Sequence, residues 1–430
     1  MNILFLDHPQ HTLGTWNLWE GLARVLGSQS IIDYPYKGVF HGKPADLMAV
    51  QWYERIYEEI EHGAPLPQGI PSFGRGEPLT TQDERIIPLN VLPVEHATVS
   101  PQREHDELEI VQALDNGYFQ LIVLGCSHRV PTIALARLRD RVKRPLPPIA
   151  YYDAGERDDF NAHWWHVFRP AVTFKQILTP EVRGAFVSSE RSPHVPCRIY
   201  PLPLANAYAA IDAPAGSAQL LQVLGGLALN GRALDVVSWF GATWAEREVV
   251  QDRVRKVCRD RDLSHCLRIL NALPIGVGAG LPYYAFLASS KVGVSMRGSG
   301  RDTDRYWQIP AMGAVLLSDG TMGCIHPFPF TDGVTASFYR SLDELEAKLS
   351  HLMEHETERT AIAAAGREHL RRFHTVEARA LFFLGIVRKE LGLVITSEQE
   401  DRVRFWLRRL EWPSELPEWE GPVVGYGDPA

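Results

Sequence analysis

The segment Lys291–Asp319 restricts the possible folds more than any other part of this chain. It begins with a short run of β-branched residues, which is broken at Gly298 and Gly300. A polar segment with helical spacing continues to Gly313, and the apolar residues 314–318 follow at once. A short apolar run of this kind is typical of a buried parallel strand. Strand, glycine loop, helix and strand in this order predict a parallel α/β sheet.

The predicted helix places polar side chains on one face. Two arginines and a glutamine follow each other at i, i+4 and i+7, so that two guanidinium groups and an amide are neighbours. A glycine loop leads into the helix N-terminus, whose backbone N–H groups and dipole attract anions. The sequence therefore predicts a site for a phosphate or diphosphate. Its residues are Gly298, Gly300, Arg301, Arg305 and Gln308.

Two acidic residues beside these arginines allow other interpretations. Asp302 and Asp304 could pair with the arginines, and together they form a D-x-D pattern that can ligate a metal ion. Their position at the start of a helix favours capping, by Asp302 or by Thr303. We therefore expect no metal at this site.

Strands and helices alternate along the rest of the chain, which predicts two parallel α/β domains. The Pro/Ala/Gly-rich stretch Leu204–Ala218 is the predicted linker between them. The first domain covers 1–208, with a Pro/Gly-rich insertion at 63–101. The second covers 209–391, and a C-terminal helix and tail occupy 392–430.

Composition and charge narrow the functional classes. The 430 residues carry a formal net charge of −8, which argues against a protein whose main ligand is a nucleic-acid backbone. The five cysteines include no C-x-x-C pair and are typical of reduced residues in a cytoplasmic protein. The N-terminus predicts a strand rather than a signal peptide, and no apolar run is long enough to span a membrane.

From about Tyr283 to Val387 the chain resembles the C-terminal half of CgeB-like, group-1-type glycosyltransferases. Those proteins share an ordered series of short motifs, among them R-x-x-E-x-x-A-x-G, V-L-L-S-D and L-D-E-L. The matching pieces here are Arg305–Gln308 with Ala311–Gly313, Val315–Asp319, Leu342–Leu345, Ala365–Arg367 and His374–Thr375. The rest of the chain fits the resemblance only in outline.

This resemblance implies a GT-B fold, in which two Rossmann-like domains face each other across a cleft and a C-terminal helix crosses back. It implies metal-independent sugar transfer from a nucleotide-diphospho-sugar, bound by the second domain, to an acceptor on the first. Gln308 stands where the family usually has the glutamate that holds the donor ribose, and an amide can also bind a hydroxyl. Gly300 stands where retaining enzymes have an earlier carboxylate, so the stereochemistry stays open. Arg247 is a further donor-binding candidate.

The first domain supplies the candidates for catalysis. In inverting enzymes of this fold a histidine after the first strand can act as general base, and His8 and His11 occupy that region. We predict His11 for this role. Asp153 begins an acidic loop at a strand end and could bind sugar hydroxyls or act as the base. The resemblance also places the helix Glu398–Trp412 against this domain, through the side chains of Phe405, Trp406 and Leu410.

Three other functions fit the same residues. A nucleotide-sugar epimerase of the same fold would use the diphosphate site without a separate acceptor. A catalytically inactive nucleotide-sugar-binding module would account for Gln308 and Gly300. Transfer to a modified DNA base is a special case, against which the acidic composition counts. The acceptor could be a small molecule, a glycan or a modified nucleotide, and the sugar, the nucleotide base and the oligomeric state stay open.

Overall fold

A computed structural model of the protein describes residues 1–7, 13–36, 104–125, 130–155, 167–183, 198–205, 232–241, 245–270, 286–298, 300–320 and 323–413. These residues form two parallel β-sheets, each with helices on both faces. The predicted fold with two Rossmann-like α/β domains is therefore confirmed. The insertion 63–101 and most of the linker Leu204–Ala218 lie outside the described residues.

The first sheet consists of six short strands: β1 (Ile3–Leu6), β2 (Ile31–Tyr34), β3 (Leu121–Gly125), β4 (Ile149–Asp153), β5 (Val172–Lys175) and β6 (Arg198–Pro201). Their order across the sheet is β2-β1-β3-β4-β5-β6, and every neighbouring pair is parallel. The strands are almost wholly buried, because helices cover both faces of the sheet.

Helices from the same half of the chain cover this sheet: α1 (Leu13–Leu26), α2 (Glu107–Asp115) and α3 (Val130–Arg141). Successive strand residues point to opposite faces. Phe5 accordingly shares a core with Trp19 of α1. Its neighbour Leu4 shares the opposite core with Ile110 of α2 and Leu135 of α3.

The second sheet consists of five strands: β7 (Leu234–Gly241), β8 (His265–Leu270), β9 (Ser290–Ser295), β10 (Val315–Ser318) and β11 (Ser337–Phe338). They are parallel in the order β11-β10-β9-β7-β8. The helices around it are α4 (Glu246–Asp260), α5 (Asp304–Ala311), α6 (Leu342–Glu354) and α7 (Glu356–Phe373). Helix α5 lies close to the sheet because β9 has a glycine there: a Cβ on Gly293 would lie 2.7 Å from Ile309 Cγ2.

In both sheets the strand order reverses beside the first strand. The reversal falls between β1 and β3 in the first sheet, and between β7 and β9 in the second. In open parallel sheets, ligands bind in the crevice that such a reversal opens at the carboxyl ends of the strands. Each domain therefore has one favoured place for a ligand.

The chain returns to the first domain after α7. Helices α8 (Val376–Leu391) and α9 (Ser397–Arg409) share their apolar core with α1 and the first sheet. Thr375 caps α8 by accepting a hydrogen bond from Ala378 N (3.2 Å). Gly21 allows the close approach of α1, since a Cβ there would collide with the carbonyl of Val376. The predicted crossing is present, but the chain crosses at Thr375 rather than at 392.

A buried ion triad strengthens the contact between α1 and α8. Arg24 Nη1 donates to Glu377 Oε1 (2.7 Å), and the same guanidinium pairs with Glu20. Trp16 Nε1 donates to the other oxygen of Glu20 (3.0 Å). Burial raises the pKa of Glu20, while Arg24 and Trp16 act in the opposite direction. The returning helix is thus held by charge as well as by apolar contact.

Most of the contacts predicted between the C-terminal helix and the first domain are present in α9. Trp406 Nε1 donates to Arg24 O (3.2 Å), and Leu410 is buried in the same core. Phe405 is 47% exposed, so its predicted packing on the first domain is wrong. Val403, two residues earlier, is buried in the core of the first domain, so Phe405 lies on the opposite side of the helix. No helix in the described part of the chain is long and apolar enough to cross a membrane.

Candidate functional site

Phe240 lies at the carboxyl end of β7, beside the reversal of the second sheet. Two guanidinium groups lie over its ring: Arg247 Cζ is 5.6 Å and Arg305 Cζ 5.5 Å from the ring centroid. Each contact has the geometry of a cation–π interaction. Two cations at one ring repel each other unless an anion lies near both, so this pair favours an anionic ligand.

Arg247 of α4 is fixed by the loop after β9. Its Nε and Nη2 atoms donate to Arg297 O (3.1 and 3.0 Å). A Cβ on Gly298 would lie 2.7 Å from Arg247 Nη2, so only glycine leaves room for this guanidinium. The loop is closed by a hydrogen bond from Gly298 N to Gly300 O (2.9 Å). Gly298 and Gly300 therefore shape the loop that holds Arg247.

The guanidinium of Arg305, on α5, is held by fewer hydrogen bonds than that of Arg247. Its side chain is half-buried, and its Nε atom is shielded from solvent and has no hydrogen-bond partner among the residues that the structure describes. Within the described ranges no carboxylate forms an ion pair with it. A buried donor without an acceptor costs about 1–3 kcal/mol. Such a donor at the carboxyl edge of a sheet indicates a place where a ligand supplies the acceptor. We call Phe240, Arg247, Arg305 and Gly298 the Phe240 site.

The two acidic residues differ from the prediction. Thr303 is the N-cap residue of α5, but its side chain makes no capping hydrogen bond to this helix. Asp302 does not cap either: Oδ1 accepts from Trp307 Nε1 and Oδ2 from Leu204 N, both at 2.7 Å. Asp302 thus joins the second domain to the segment that follows β6. Asp304 is the first residue of α5.

The predicted helix face of Arg301, Arg305 and Gln308 is only partly present. The helix begins at Asp304, so Arg301 lies in the loop before it. The pKa of Glu181 is lowered by a hydrogen bond from Thr179 and also by the charge of Arg301, which therefore lies near the first domain. Gln308 is buried within α5. The structure brings Arg247, rather than Arg301, to the ring that Arg305 contacts.

Asp319 is a residue that the sequence revealed only as part of a motif. It follows β10, and its Oδ2 accepts a hydrogen bond from Arg297 N (3.1 Å). Ser318 Oγ donates to Oδ1 (3.3 Å). Burial raises the pKa of Asp319 to about 6, although the bond from Arg297 N lowers it. The apolar Phe240 gave no signal of its own, because an aromatic residue in a strand is normally part of the core.

In the first domain, Asp153 lies at the end of β4 in a buried ion pair. Its Oδ2 is 3.1 Å from Lys175 Nζ, and its Oδ1 accepts from Gly155 N (3.0 Å). Lys175 also donates to Gly155 O (3.2 Å). His11, with His8, lies outside the described residues. Catalytic roles for His11 and Asp153 stay predictions.

Segments that follow strands of both sheets meet where the domains touch. Ile325 N, after β10, donates to Leu178 O, after β5, at 2.7 Å. Asp302, after β9, binds the backbone of Leu204, after β6. The carboxyl edges of both sheets therefore lie toward the same interdomain contact, as a cleft between two such domains requires.

Residues 238–385, which include the Phe240 site, match a family model described as glycosyl transferase-like. No curated protein matches the chain. Among solved structures, HepE from Anabaena in complex with UDP and glucose is similar at 12% identity and a TM-score of 0.47, over 91% of this chain and 100% of that one. A glycosyltransferase from Rickettsia africae has 9% identity and a TM-score of 0.47, over 91% and 99%. The N-terminal domain of trehalose-6-phosphate phosphatase from Candida albicans has 10% identity and a TM-score of 0.48, over 90% and 96%.

Proposed function

We propose that this protein is a metal-independent glycosyltransferase, related to the CgeB-like, group-1-type enzymes, whose donor is a nucleotide-diphospho-sugar. The match of residues 238–385 to a glycosyl transferase-like family supports the class of reaction. The observation that carries the donor site is the pair of guanidinium groups over Phe240, one of them with a buried Nε atom to which no described residue offers an acceptor.

In this proposal the donor diphosphate lies against Arg247 and Arg305. Guanidinium groups bind phosphate oxygens through two parallel hydrogen bonds, and such charge-assisted bonds are about twice as strong as neutral ones. Negative charge grows on the diphosphate as the sugar leaves, so cations fixed in advance stabilise the transition state. Arg247 is fixed by Arg297 O, and Arg305 by its helix and by the ring of Phe240. Gln308 is proposed to bind the ribose, and Arg301 to approach the donor from the interdomain side.

The acceptor is proposed to bind on the first domain, where His11 would remove its proton. Asp153 is the second candidate for this base. Its carboxylate would first have to leave Lys175, with which it forms a buried ion pair. Asp153 in its present contacts holds the loop at Gly155 and could present that loop to sugar hydroxyls.

Transfer is proposed to need no metal ion, because Asp302 is engaged elsewhere. Both of its oxygens accept hydrogen bonds from the protein, at Leu204 N and Trp307 Nε1. A D-x-D site would require this carboxylate to turn toward a metal, which would break the link between the domains. The charge of the leaving diphosphate is then stabilised by the arginines alone.

The proposal is tested with UDP-glucose, ADP-glucose and GDP-glucose, which carry one sugar on three bases. We expect one of them to raise the melting temperature of the wild type. At a ligand concentration of one hundred times the dissociation constant, the folded state should gain about 2.7 kcal/mol. Chromatography of the nucleotide then separates the candidate functions. A transferase releases the nucleoside diphosphate, an epimerase changes the sugar and keeps the bond, and a binding module does neither. The proposal fails if no nucleotide sugar stabilises the protein.

A further inference from the structure

The backbone of one residue in the second domain, Arg297, is held from both sides by charged side chains. The N–H of Arg297 donates to Asp319 Oδ2 (3.1 Å), and the C=O of Arg297 accepts from Arg247 Nε and Nη2 (3.1 and 3.0 Å). Ser318 Oγ donates to the second oxygen of Asp319 (3.3 Å). A half-buried carboxylate is thus connected, through the backbone of a single residue, to a guanidinium of the Phe240 site.

Among the described residues, three titratable or charged side chains face Asp319 from neighbouring elements: one arginine and two tyrosines. Arg297, after β9, is the cation whose charge acts on it. Tyr306 of α5 and Tyr339 after β11 lie near enough for the Asp319 charge to raise their pKa values, after burial, which is the larger cause. Both phenols stay protonated at neutral pH. Burial itself raises the pKa of Asp319 to about 6.

We propose that Asp319 is a positioning residue of the donor site, which holds Arg247 through the Arg297 peptide, and that donor binding is linked to protonation of this carboxylate. The inference rests on the proposed function, since it takes the Phe240 site as the place of the diphosphate. The first part follows from the chain of hydrogen bonds. The second follows from Coulomb's law, because an anion bound next to Arg247 disfavours the ionised form of the half-buried Asp319 carboxylate.

The sign of the linkage is fixed by these charges. A bound diphosphate raises the pKa of Asp319 further. At a pH between the two pKa values, Asp319 is ionised in the free protein and protonated in the complex, so binding takes up a proton from solvent. Affinity for the donor should therefore be highest below about pH 6 and should fall as the pH rises toward 8. Phosphodiesters of a nucleotide sugar do not titrate in this range, so the pH dependence reports on the protein.

The experiment compares wild type, Asp319→Asn and Asp319→Ala by calorimetry with the nucleotide sugar that the wild type binds best. The asparagine keeps an acceptor for Arg297 N and removes the charge. We expect Asp319→Asn to bind about as tightly as the wild type at about pH 6, with the pH dependence lost. Asp319→Ala should bind about tenfold more weakly than Asp319→Asn at every pH, the loss of about one hydrogen bond. Titration in two buffers of different ionisation enthalpy should show proton uptake for the wild type, and this uptake should be lost in both variants.

Asp332→Ala is the matched control. Asp332 Oδ1 also accepts a backbone N–H in this domain, from Phe338 (2.8 Å), but it pairs with Lys348 instead of acting on Arg297. We expect its affinity and proton uptake to equal those of the wild type. If Asp319→Ala binds as the wild type does, or proton uptake persists in Asp319→Asn, the inference is wrong. If the wild type binds no nucleotide sugar, or Arg305→Ala binds as well as the wild type, the proposed function itself fails.

Discussion

Arg379 and Arg305 each place a guanidinium group over an aromatic ring, but their other contacts differ. Arg379 lies 5.3 Å from the ring centroid of Trp307, and its Nε and Nη2 atoms donate to Leu204 O (3.3 and 3.2 Å). Arg305 lies 5.5 Å from the ring centroid of Phe240, and its buried Nε has no hydrogen-bond partner in the described part of the chain. The protein supplies hydrogen-bond acceptors for the guanidinium of Arg379, whereas no described residue supplies one for the Nε atom of Arg305.

This difference separates the structural joint, by which we mean Arg379 with Trp307, His374 and their contacts, from the proposed binding site at Arg305. At the joint, Arg379 also donates to His374 Nδ1 (2.8 Å), and His374 Nε2 contacts Phe328 O (2.8 Å), so His374 is neutral with its proton on Nε2. Burial and the charge of Arg379 both lower the pKa of His374. The Arg379 guanidinium thus has its hydrogen-bond acceptors within the protein, and such a buried polar network adds to stability. Arg305, at the carboxyl edge of a sheet, is the arginine that we propose binds the ligand.

The largest expected effect comes from breaking the joint with Arg379→Met. The change leaves Leu204 O and His374 without a buried donor and removes the cation whose charge faces Asp302. We expect a loss of about 3–5 kcal/mol in the free energy of unfolding. Urea denaturation measures it, and Arg408→Met, exposed on α9, should change stability by less than about 0.5 kcal/mol. Equal effects of the two changes would show that the joint adds no stability.

The joint should also respond to acid. His326 stacks on Trp307, and burial together with the charge of Arg379 lowers its pKa to about 3, from 6.5. A base whose folded pKa is depressed stabilises the fold above its unfolded pKa, and that contribution is lost as the pH falls from 6.5. At about pH 5 the loss from His326 alone is about 2 kcal/mol. Urea denaturation of His326→Phe between these pH values should show a shallower pH dependence than the wild type. An unchanged slope would mean that His326 is not the titrating group.

A smaller effect is expected at the Phe240 site from Gly298→Ala. The new methyl group would lie 2.7 Å from Arg247 Nη2 and displace that guanidinium. We expect donor affinity to fall about tenfold, or about 1.4 kcal/mol, with the melting temperature nearly unchanged. Calorimetry measures the affinity. The control is Gly333→Ala, a position where the Cβ meets nothing within 4 Å but the positive φ of 71° strains the backbone. That change should lower stability slightly and leave donor affinity intact.

Removal of metal ions should have no effect, because Asp302 belongs to the joint and not to the site. We expect donor binding and sugar transfer to survive treatment with a chelator. Activity lost on chelation and restored by manganese or magnesium would assign the acidic pair to a metal and contradict our account of Asp302.

The sequence predicted elements better than it predicted contacts. The loop at Gly298 and the strands around it follow from local patterns, and so does the β-α-β order of both sheets. The role of Asp302 could not be predicted from a local pattern, because its partner Leu204 is 98 residues away in the chain. Arg301 was expected on the helix face, but the helix begins three residues later, at Asp304.

The candidate site shows the same limit. Arg305 was predicted from helical spacing, but the second arginine of the site is Arg247, which comes from another helix. Their common partner, Phe240, has the signature of a core residue. Only the fold brings these three side chains together, since contacts across a sheet carry no local pattern.

The most direct test of the account is the affinity of Arg305→Ala for a nucleotide sugar, measured by calorimetry beside Arg259→Ala. Arg259 is an exposed arginine in the last turn of α4, so its removal changes the net charge equally without touching Phe240. We predict that Arg305→Ala weakens binding by about 1.5–3 kcal/mol, the value of hydrogen bonds to a charged group, while stability is unchanged. Arg259→Ala should bind as the wild type does. Equal affinities of the two variants would contradict the assignment of the Phe240 site to the donor diphosphate.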